Sequence, residues 1–221
     1  MKQIIVTACI VLFIASAAQA EMRITEWMYN GAASASVGEF VEFTNVGSSA
    51  IDMTGWSFDD DSRAPGTENL SAFGTVAPGE SVLLTDVSDT TFRTSWGLAS
   101  TVKVIGDNGT NLGRADEINL FDASSALVDR LTYNDQATPT PLGPRTNKIS
   151  GNPISFSDLG TNNATRWVLS TNGDRYGSHT ATTGDIGNPG VYVDVVPEPA
   201  TIVTLLTGMF MMGIFSRFRR K

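Results

Sequence analysis

Residues 38–45 read GEFVEFTN and residues 51–60 read IDMTGWSFDD, and these two stretches indicate the fold class most directly. In the first, Phe40 and Val41 fall on alternate sides of an extended chain, so one side is expected in a core with carboxylates beside it. In the second, a short apolar strand follows a glycine and runs into three consecutive aspartates. Both stretches therefore predict β-strands.

The same period-two pattern continues on both sides, interrupted at short intervals by Gly, Asn, Asp and Pro. It predicts strands at residues 23–29, 39–45, 55–58, 81–85, 101–105, 117–122 and 127–133. One short helix is expected, because Asp86 or Ser88 can cap a segment that runs through Phe92 to Trp96 and ends at Gly97. The sequence thus predicts an all-β domain folded as a β-sandwich.

Further segments in the same order carry a family resemblance. They are 24–30 (ITEWMYN), 76–85 (VAPGESVLLT), 116–122 (DEINLFD), 128–133 and 187–190 (GNPG). With the two opening stretches they resemble the lamin tail domain, an immunoglobulin-like sandwich, over most of residues 21–191. The resemblance implies fold more than chemistry: bacterial copies are similar to accessory modules of extracellular nucleases, phosphatases and adhesins, and no second domain is expected here to carry an activity.

One stretch departs from that pattern. Residues 134–163 are rich in Pro, Gly, Asn, Ser and Thr, a composition typical of loops. We expect an extended surface loop, which could equally be a binding surface.

The N-terminus has the three parts of a secretory signal peptide. Lys2 precedes an apolar run over residues 4–14, and small residues lead to Ala20. Cleavage between Ala20 and Glu21 is predicted. A permanent anchor would need about 20 apolar residues, and a lipoprotein signal ending at Cys9 would leave too short an apolar region.

Removal of residues 1–20 would take away Cys9, the only cysteine, so no disulfide or thiolate site is expected in the mature domain. Residues 21–196 carry 10 basic and 22 acidic side chains, a net charge of −12. Such a surface repels phosphate backbones and disfavours nucleic acid as a partner. Cations, polysaccharide or another surface protein fit this charge.

The C-terminus carries a second signal, residues 197–221. An uncharged segment, residues 200–215, predicts a transmembrane helix of roughly 24 Å, marginal against a hydrocarbon core of roughly 30 Å. It is preceded by Pro197, Glu198 and Pro199 and followed by the basic residues Arg217, Arg219, Arg220 and Lys221. The basic end is expected to stay cytoplasmic.

This three-part order resembles the PEP-CTERM sorting signal of bacterial surface proteins. The resemblance implies a membrane-anchored precursor that an exosortase processes at or near Pro197–Pro199, followed by release to the cell surface or extracellular matrix of a Gram-negative bacterium. An ordinary tail anchor is the alternative.

Candidate sites within the domain are few. Asp59, Asp60 and Asp61 could bind Ca²⁺ through oxygen ligands, with Glu68 completing the shell, and a solvated turn is the alternative. His179, the sole histidine, lacks the surrounding motif of a Ser-His-Asp hydrolase. No catalytic residue is therefore assigned.

Carboxylates and tryptophans on the strands offer other interpretations. Glu26, Glu39 and Glu42 could form the acid and base of a glycosidase, but exposed strand faces are the preferred prediction. The four tryptophans could stack on sugars, but core or core-edge positions are preferred for Trp27, Trp56, Trp96 and Trp167. The sequence thus favours a non-enzymatic binding or structural protein. A secreted metal-dependent hydrolase, or an accessory module of one, is the alternative.

Overall fold

In the computed structural model of the chain, which describes residues 21–31 and 38–193, both opening stretches form strands. The described strands are β1 (Met22–Met28), β2 (Phe40–Asn45), β3 (Ile51–Asp52), β4 (Ser57–Asp59), β5 (Glu68–Asn69), β6 (Thr75–Val76), β7 (Ser81–Thr85), β8 (Lys103–Ile105), β9 (Ala115–Phe121), β10 (Leu127–Asn134), β11 (Gly151–Pro153), β12 (Trp167–Leu169), β13 (His179–Thr180) and β14 (Ile186–Gly187). Helix α1 spans Asp89–Trp96. All seven predicted strands are confirmed, with bounds shifted by up to two residues.

Two sheets face each other. The larger sheet has the strand order β12-β11-β1-β2-β7-β8, and the smaller sheet has the order β10-β9-β4-β5. Every pair in them is antiparallel except β7 with β8. Two short pairs, β3 with β6 and β13 with β14, complete the described strands. The β-sandwich with one short α-helix predicted from the sequence is confirmed.

The core between the sheets comes from alternate strand positions. Val41 and Phe43 of β2 and Ile118 and Leu120 of β9 are buried there in one cluster, as the pleat of facing strands requires. Trp27 packs on Tyr133 across the sheets with ring centroids 3.9 Å apart. This pair joins the end of β1 to the end of β10.

A second core lies on the outer face of the larger sheet. There Phe40 packs edge-on against Phe92 and Trp96 of α1 at 5.4 and 5.9 Å. The helix begins where predicted, because the hydroxyl of Ser88 accepts a hydrogen bond from the Thr91 amide at 3.2 Å. It ends at a left-handed Gly97, also as predicted. Strand β2 is therefore buried on both faces.

The predicted surface loop at 134–163 is wrong in part. Within it, β11 joins the larger sheet between β1 and β12, with Trp27 opposite Gly151. Ser150 and Asn152 are fully buried. The strand was missed because these side chains are polar. The Ser150 hydroxyl shares a hydrogen bond with the Ser170 hydroxyl at 2.7 Å, and Asn152 Nδ2 donates to Asn188 Oδ1 at 2.9 Å, whereas Asn152 Oδ1 has no partner.

The tryptophan prediction is confirmed. Trp27, Trp96 and Trp167 are buried, and Trp56 is half-buried against the main core. The signals predicted at residues 1–20 and 197–221 lie outside the described residues. Within 21–31 and 38–193, no helix has the length and apolarity needed to cross a membrane.

Candidate functional site

Five carboxylates that interact electrostatically lie at one end of the sandwich, which we call the acidic end: Glu39, Asp60, Asp61, Asp86 and Asp116. Strand pairing explains the collection. Antiparallel register sets Phe40 opposite Thr85 in the larger sheet and Asp59 opposite Asn119 in the smaller one. The start of β2 thus lies beside the end of β7, and the start of β9 extends beyond the end of β4.

Three of these carboxylates lie close enough to share an ion. Oxygens of Asp60, Asp61 and Asp116 all fall within 4.8 Å of one another. The structure therefore brings two of the predicted calcium ligands together with Asp116, which sequence reasoning missed. Asp116 lies 55 positions beyond Asp61 in the printed sequence, and only the β4–β9 pairing makes them neighbours.

The other two residues named for calcium face elsewhere. Asp59 Oδ2 accepts hydrogen bonds from the Ser62 hydroxyl at 2.7 Å and the Ala64 amide at 2.6 Å. Glu68 Oε1 accepts from the Gly109 amide at 3.0 Å and the Thr110 hydroxyl at 3.1 Å. Both carboxylates hold loops in place, and calcium binding itself stays a prediction.

Glu39 corrects one sequence prediction. An exposed strand face was expected, but the side chain is only 4% exposed. Glu39 Oε2 accepts from the Leu112 amide at 2.7 Å, whereas its Oε1 has no hydrogen-bond partner. Burial raises the pKa of Glu39 to about 9, and the charges of Asp86 and Asp116 add to the increase against the Leu112 hydrogen bond.

Glu26 and Glu42 correct the same prediction, since both are fully buried. They are register partners in β1 and β2, and the segment 187–190 covers them. Glu26 Oε1 accepts a hydrogen bond from the backbone N–H of Asn188 at 2.8 Å, and Glu42 Oε2 accepts one from the backbone N–H of Gly190 at 2.7 Å. The alternation of residues along β1 and β2 could not predict this burial, because the segment that covers both glutamates lies at least 145 positions further along the chain.

Their surroundings shift both pKa values upward. Burial raises the pKa of Glu26 well above its ordinary value, and the neighbouring charge of Glu42 raises it further. Burial also raises the pKa of Glu42, against hydrogen bonds from Thr25 and Gly190 that lower it. The pair is therefore arranged to hold a proton and to bind the segment 187–190 through hydrogen bonds.

The outer face of the smaller sheet carries an ionic network. Arg63 donates two hydrogen bonds to Glu117, from Nε to Oε2 at 2.7 Å and from Nη2 to Oε1 at 2.6 Å. The Thr132 hydroxyl donates to Glu117 Oε1 at 3.0 Å. The Arg63 hydrogen bonds lower the pKa of Glu117 to about 2.

His179 lies on the exposed edge of β13. Its Nε2 is 3.3 Å from the Trp96 carbonyl oxygen, and its ring meets the Trp96 ring edge-on at 5.7 Å. Both contacts therefore go to the end of the helix and not to a hydroxyl nucleophile.

A protein-family model described as Lamin Tail Domain matches residues 15–135. The matched span includes β1 to β10 and thus the whole smaller sheet. Searches of the curated proteins and of the solved structures gave no match.

Proposed function

Since the chain belongs to the Lamin Tail Domain family, whose β-sandwiches serve as binding or structural modules, we propose that it is an exported, non-enzymatic surface protein. Its sandwich would bind a polysaccharide or another surface protein at the cell surface or in the extracellular matrix.

The observation that carries this proposal is the enclosure of Glu26 and Glu42. A glycosidase needs its two carboxylates facing the scissile bond. Here both are fully buried and accept hydrogen bonds from the amides of Asn188 and Gly190. Two of the three carboxylates that the sequence offered for glycoside hydrolysis are thus engaged in holding the fold, which argues against a glycosidase and supports a binding role.

Export is supported by the N-terminal sequence and by the place where the fold begins. Lys2, the apolar run at 4–14 and the small residues up to Ala20 form the proposed signal. Strand β1 begins at Met22. Cleavage between Ala20 and Glu21 would therefore leave the first strand whole, and would keep the 2.7 Å ion pair of Glu21 with Arg23.

Anchoring and release are supported by the C-terminal sequence. The order of Pro197–Pro199, the uncharged segment 200–215 and the basic end at 217–221 fits a temporary membrane anchor that an exosortase processes. The described fold ends its last strand at Gly187, so processing near Pro197 would spare every described strand. The net charge of −12 over 21–196 disfavours nucleic acid and leaves polysaccharide or protein as the partner.

Mass spectrometry of the protein from producing cells tests the route. The expected product begins at Glu21 and ends at or near Pro197–Pro199, so it lacks segment 200–215 and the basic end. A product that retains Phe215 to Lys221 would contradict processing and favour the ordinary tail anchor.

A pull-down from exopolysaccharide-producing cells, paired with a panel of hydrolase substrates, tests the activity. We expect a retained polysaccharide or surface protein and no turnover. Turnover that Glu42→Gln or Asp60→Asn abolishes would favour the hydrolase instead.

A further inference from the structure

We propose that the acidic end binds one calcium ion through Asp60, Asp61 and Asp116, with Glu39 facing the ion from between the two sheets. This inference goes beyond the proposed function, since a calcium site could serve any partner or none.

The first argument is distance. Two oxygens bound to one Ca²⁺ at about 2.4 Å can be at most about 4.8 Å apart. Oxygens of Asp60, Asp61 and Asp116 meet that limit for all three pairs. They come from the loop after β4 and the start of β9, so two neighbouring strands of the smaller sheet hold them in place.

The second argument is the direction of Glu39. Glu39 alternates with Val41 and Phe43, and Asp116 alternates with Ile118 and Leu120, all four of which lie in the core between the sheets. Because side chains two apart share a strand face, Glu39 and Asp116 both point into that space. They also bind successive amides of one loop, Leu112 N to Glu39 Oε2 at 2.7 Å and Gly113 N to Asp116 Oδ2 at 2.6 Å.

The third argument is unsatisfied polarity. The Oε1 atom of Glu39 is buried without a hydrogen-bond partner, and so is the hydroxyl of Tyr133. Tyr133 is the register partner of Asp116, which places the two side chains next to each other on the inner face. Buried polar atoms are normally paired. Both residues interact electrostatically with Asp116, so their unpaired atoms are consistent with a ligand bound beside Asp116.

The fourth argument is charge. Nearby arginines pair with other acids, Arg63 with Glu117 at 2.6 Å and Arg114 with Asp135 at 2.6 Å. Among residues 21–31 and 38–193, no ion pair involves any of the five carboxylates of the acidic end. Asp61 also interacts electrostatically with Arg63, and a bound cation would add the counter-charge that the other carboxylates lack.

The donor set selects the ion. All the donors are oxygens, which suit Ca²⁺ and Mg²⁺ and not the softer metals. Asp61 is exposed, so water can complete the shell. Ligands from one loop and a separate strand suit the larger and more flexible shell of Ca²⁺ better than the strict octahedron of Mg²⁺.

Calcium titration of the full-length chain, purified in detergent and freed of metal by a chelator, tests the site. Calorimetry with CaCl₂ should give one site with a Kd of about 10⁻⁴–10⁻³ M, the range of extracellular modules. Tryptophan fluorescence should change at the same concentrations, because Trp27 is stacked on Tyr133. MgCl₂ should bind more weakly.

Asp61→Asn is the decisive variant, since an exposed side chain can change without unfolding the domain. It should weaken Ca²⁺ binding by about tenfold or more, because carboxylate count sets affinity in such sites. Asp116→Asn should do the same. The matched control is Asp122→Asn, which removes the same charge from the β9–β10 turn at the other end of the same sheet.

Ca²⁺ binding by the parent chain and by the two variants decides whether the site exists. Binding lost in Asp61→Asn and kept in Asp122→Asn supports the site. Absence of binding by the parent chain, or equal weakening in Asp61→Asn and Asp122→Asn, overturns it. Neither result changes the masses or the retained partners that test the proposed function.

Discussion

Glu26 and Glu42 lie opposite each other on β1 and β2, and their carboxylates accept hydrogen bonds from Asn188 and Gly190 of the segment that covers them. Two buried acids thus join the centre of the larger sheet to the last described part of the domain. The contact has measurable consequences.

The contribution of Glu26 and Glu42 to stability should fall as pH rises above about 4.5. Both glutamates have raised pKa values in the fold, so the unfolded chain releases their protons first, near the ordinary value of 4.5. Their stabilising contribution is complete below that pH and is lost as pH rises toward the folded-state values. Each proton contributes a slope of up to about 1.4 kcal/mol per pH unit.

Urea unfolding of the parent and of Glu42→Gln, between about pH 5 and about pH 8, measures this slope. Because glutamine cannot ionise, the variant should gain stability relative to the parent as pH rises. A stability difference that stays constant across the range would contradict the prediction.

Gly187→Ala should loosen the covering segment. A Cβ there would lie 2.8 Å from both Glu26 Oε1 and Ser150 Oγ, and 3.1 Å from a Trp96 ring carbon. Overpacking of this kind costs about 1–3 kcal/mol, measurable by chemical denaturation. The control is Gly109→Ala, where the nearest atom is the end of the Glu68 side chain at 3.3 Å. Equal stability of the two variants would show that the segment is not tightly seated.

Arg63→Gln should make the domain more sensitive to acid. With Arg63 present, the pKa of Glu117 is held at about 2. Ionised Glu117 thus stabilises the fold above its ordinary pKa of 4.5, and that contribution is lost as pH falls toward 2. Without the guanidinium the pKa should rise, and acid unfolding followed by circular dichroism should begin at higher pH. Arg93→Gln, which breaks the 3.7 Å surface pair with Asp89, should leave the acid midpoint in place.

Ser88→Ala should destabilise α1 and the outer core. The Ser88 hydroxyl satisfies the Thr91 amide at the helix start, and loss of such a cap costs about 1 kcal/mol. Ser88→Asp should retain most of the stability, because aspartate is also a good cap. Thermal unfolding compares the three proteins, and a drop as large in Ser88→Asp as in Ser88→Ala would argue against capping.

Seven of the fourteen described strands and the helix were predictable because their signals are local. Alternation along 39–45 marks β2, and the Ser88 cap with the left-handed Gly97 marks α1. Strand β11 was not predicted because polar residues such as Ser150 and Asn152 are typical of loops. Both are nevertheless buried, and they form hydrogen bonds with Ser170 and Asn188. No local sequence pattern predicts that Ser170 and Asn188 will be their hydrogen-bond partners.

The candidate site was predictable only in part for the same reason. A run of aspartates after a strand is visible in sequence, so Asp60 and Asp61 could be named. The roles of Asp116 and Glu39 depend on which strands pair and which faces meet between the sheets.

By itself, the sequence determined the alternation that makes a sandwich, the caps of one helix and the charge that favours some partners over others, because these depend on neighbouring residues and on composition. Only the tertiary structure decided which carboxylates are buried. Glu26 and Glu42 alternate like exposed residues, yet the segment 187–190 covers them and supplies their hydrogen bonds. Burial is a property of what packs against a side chain, and here the packing partner comes from the far end of the domain.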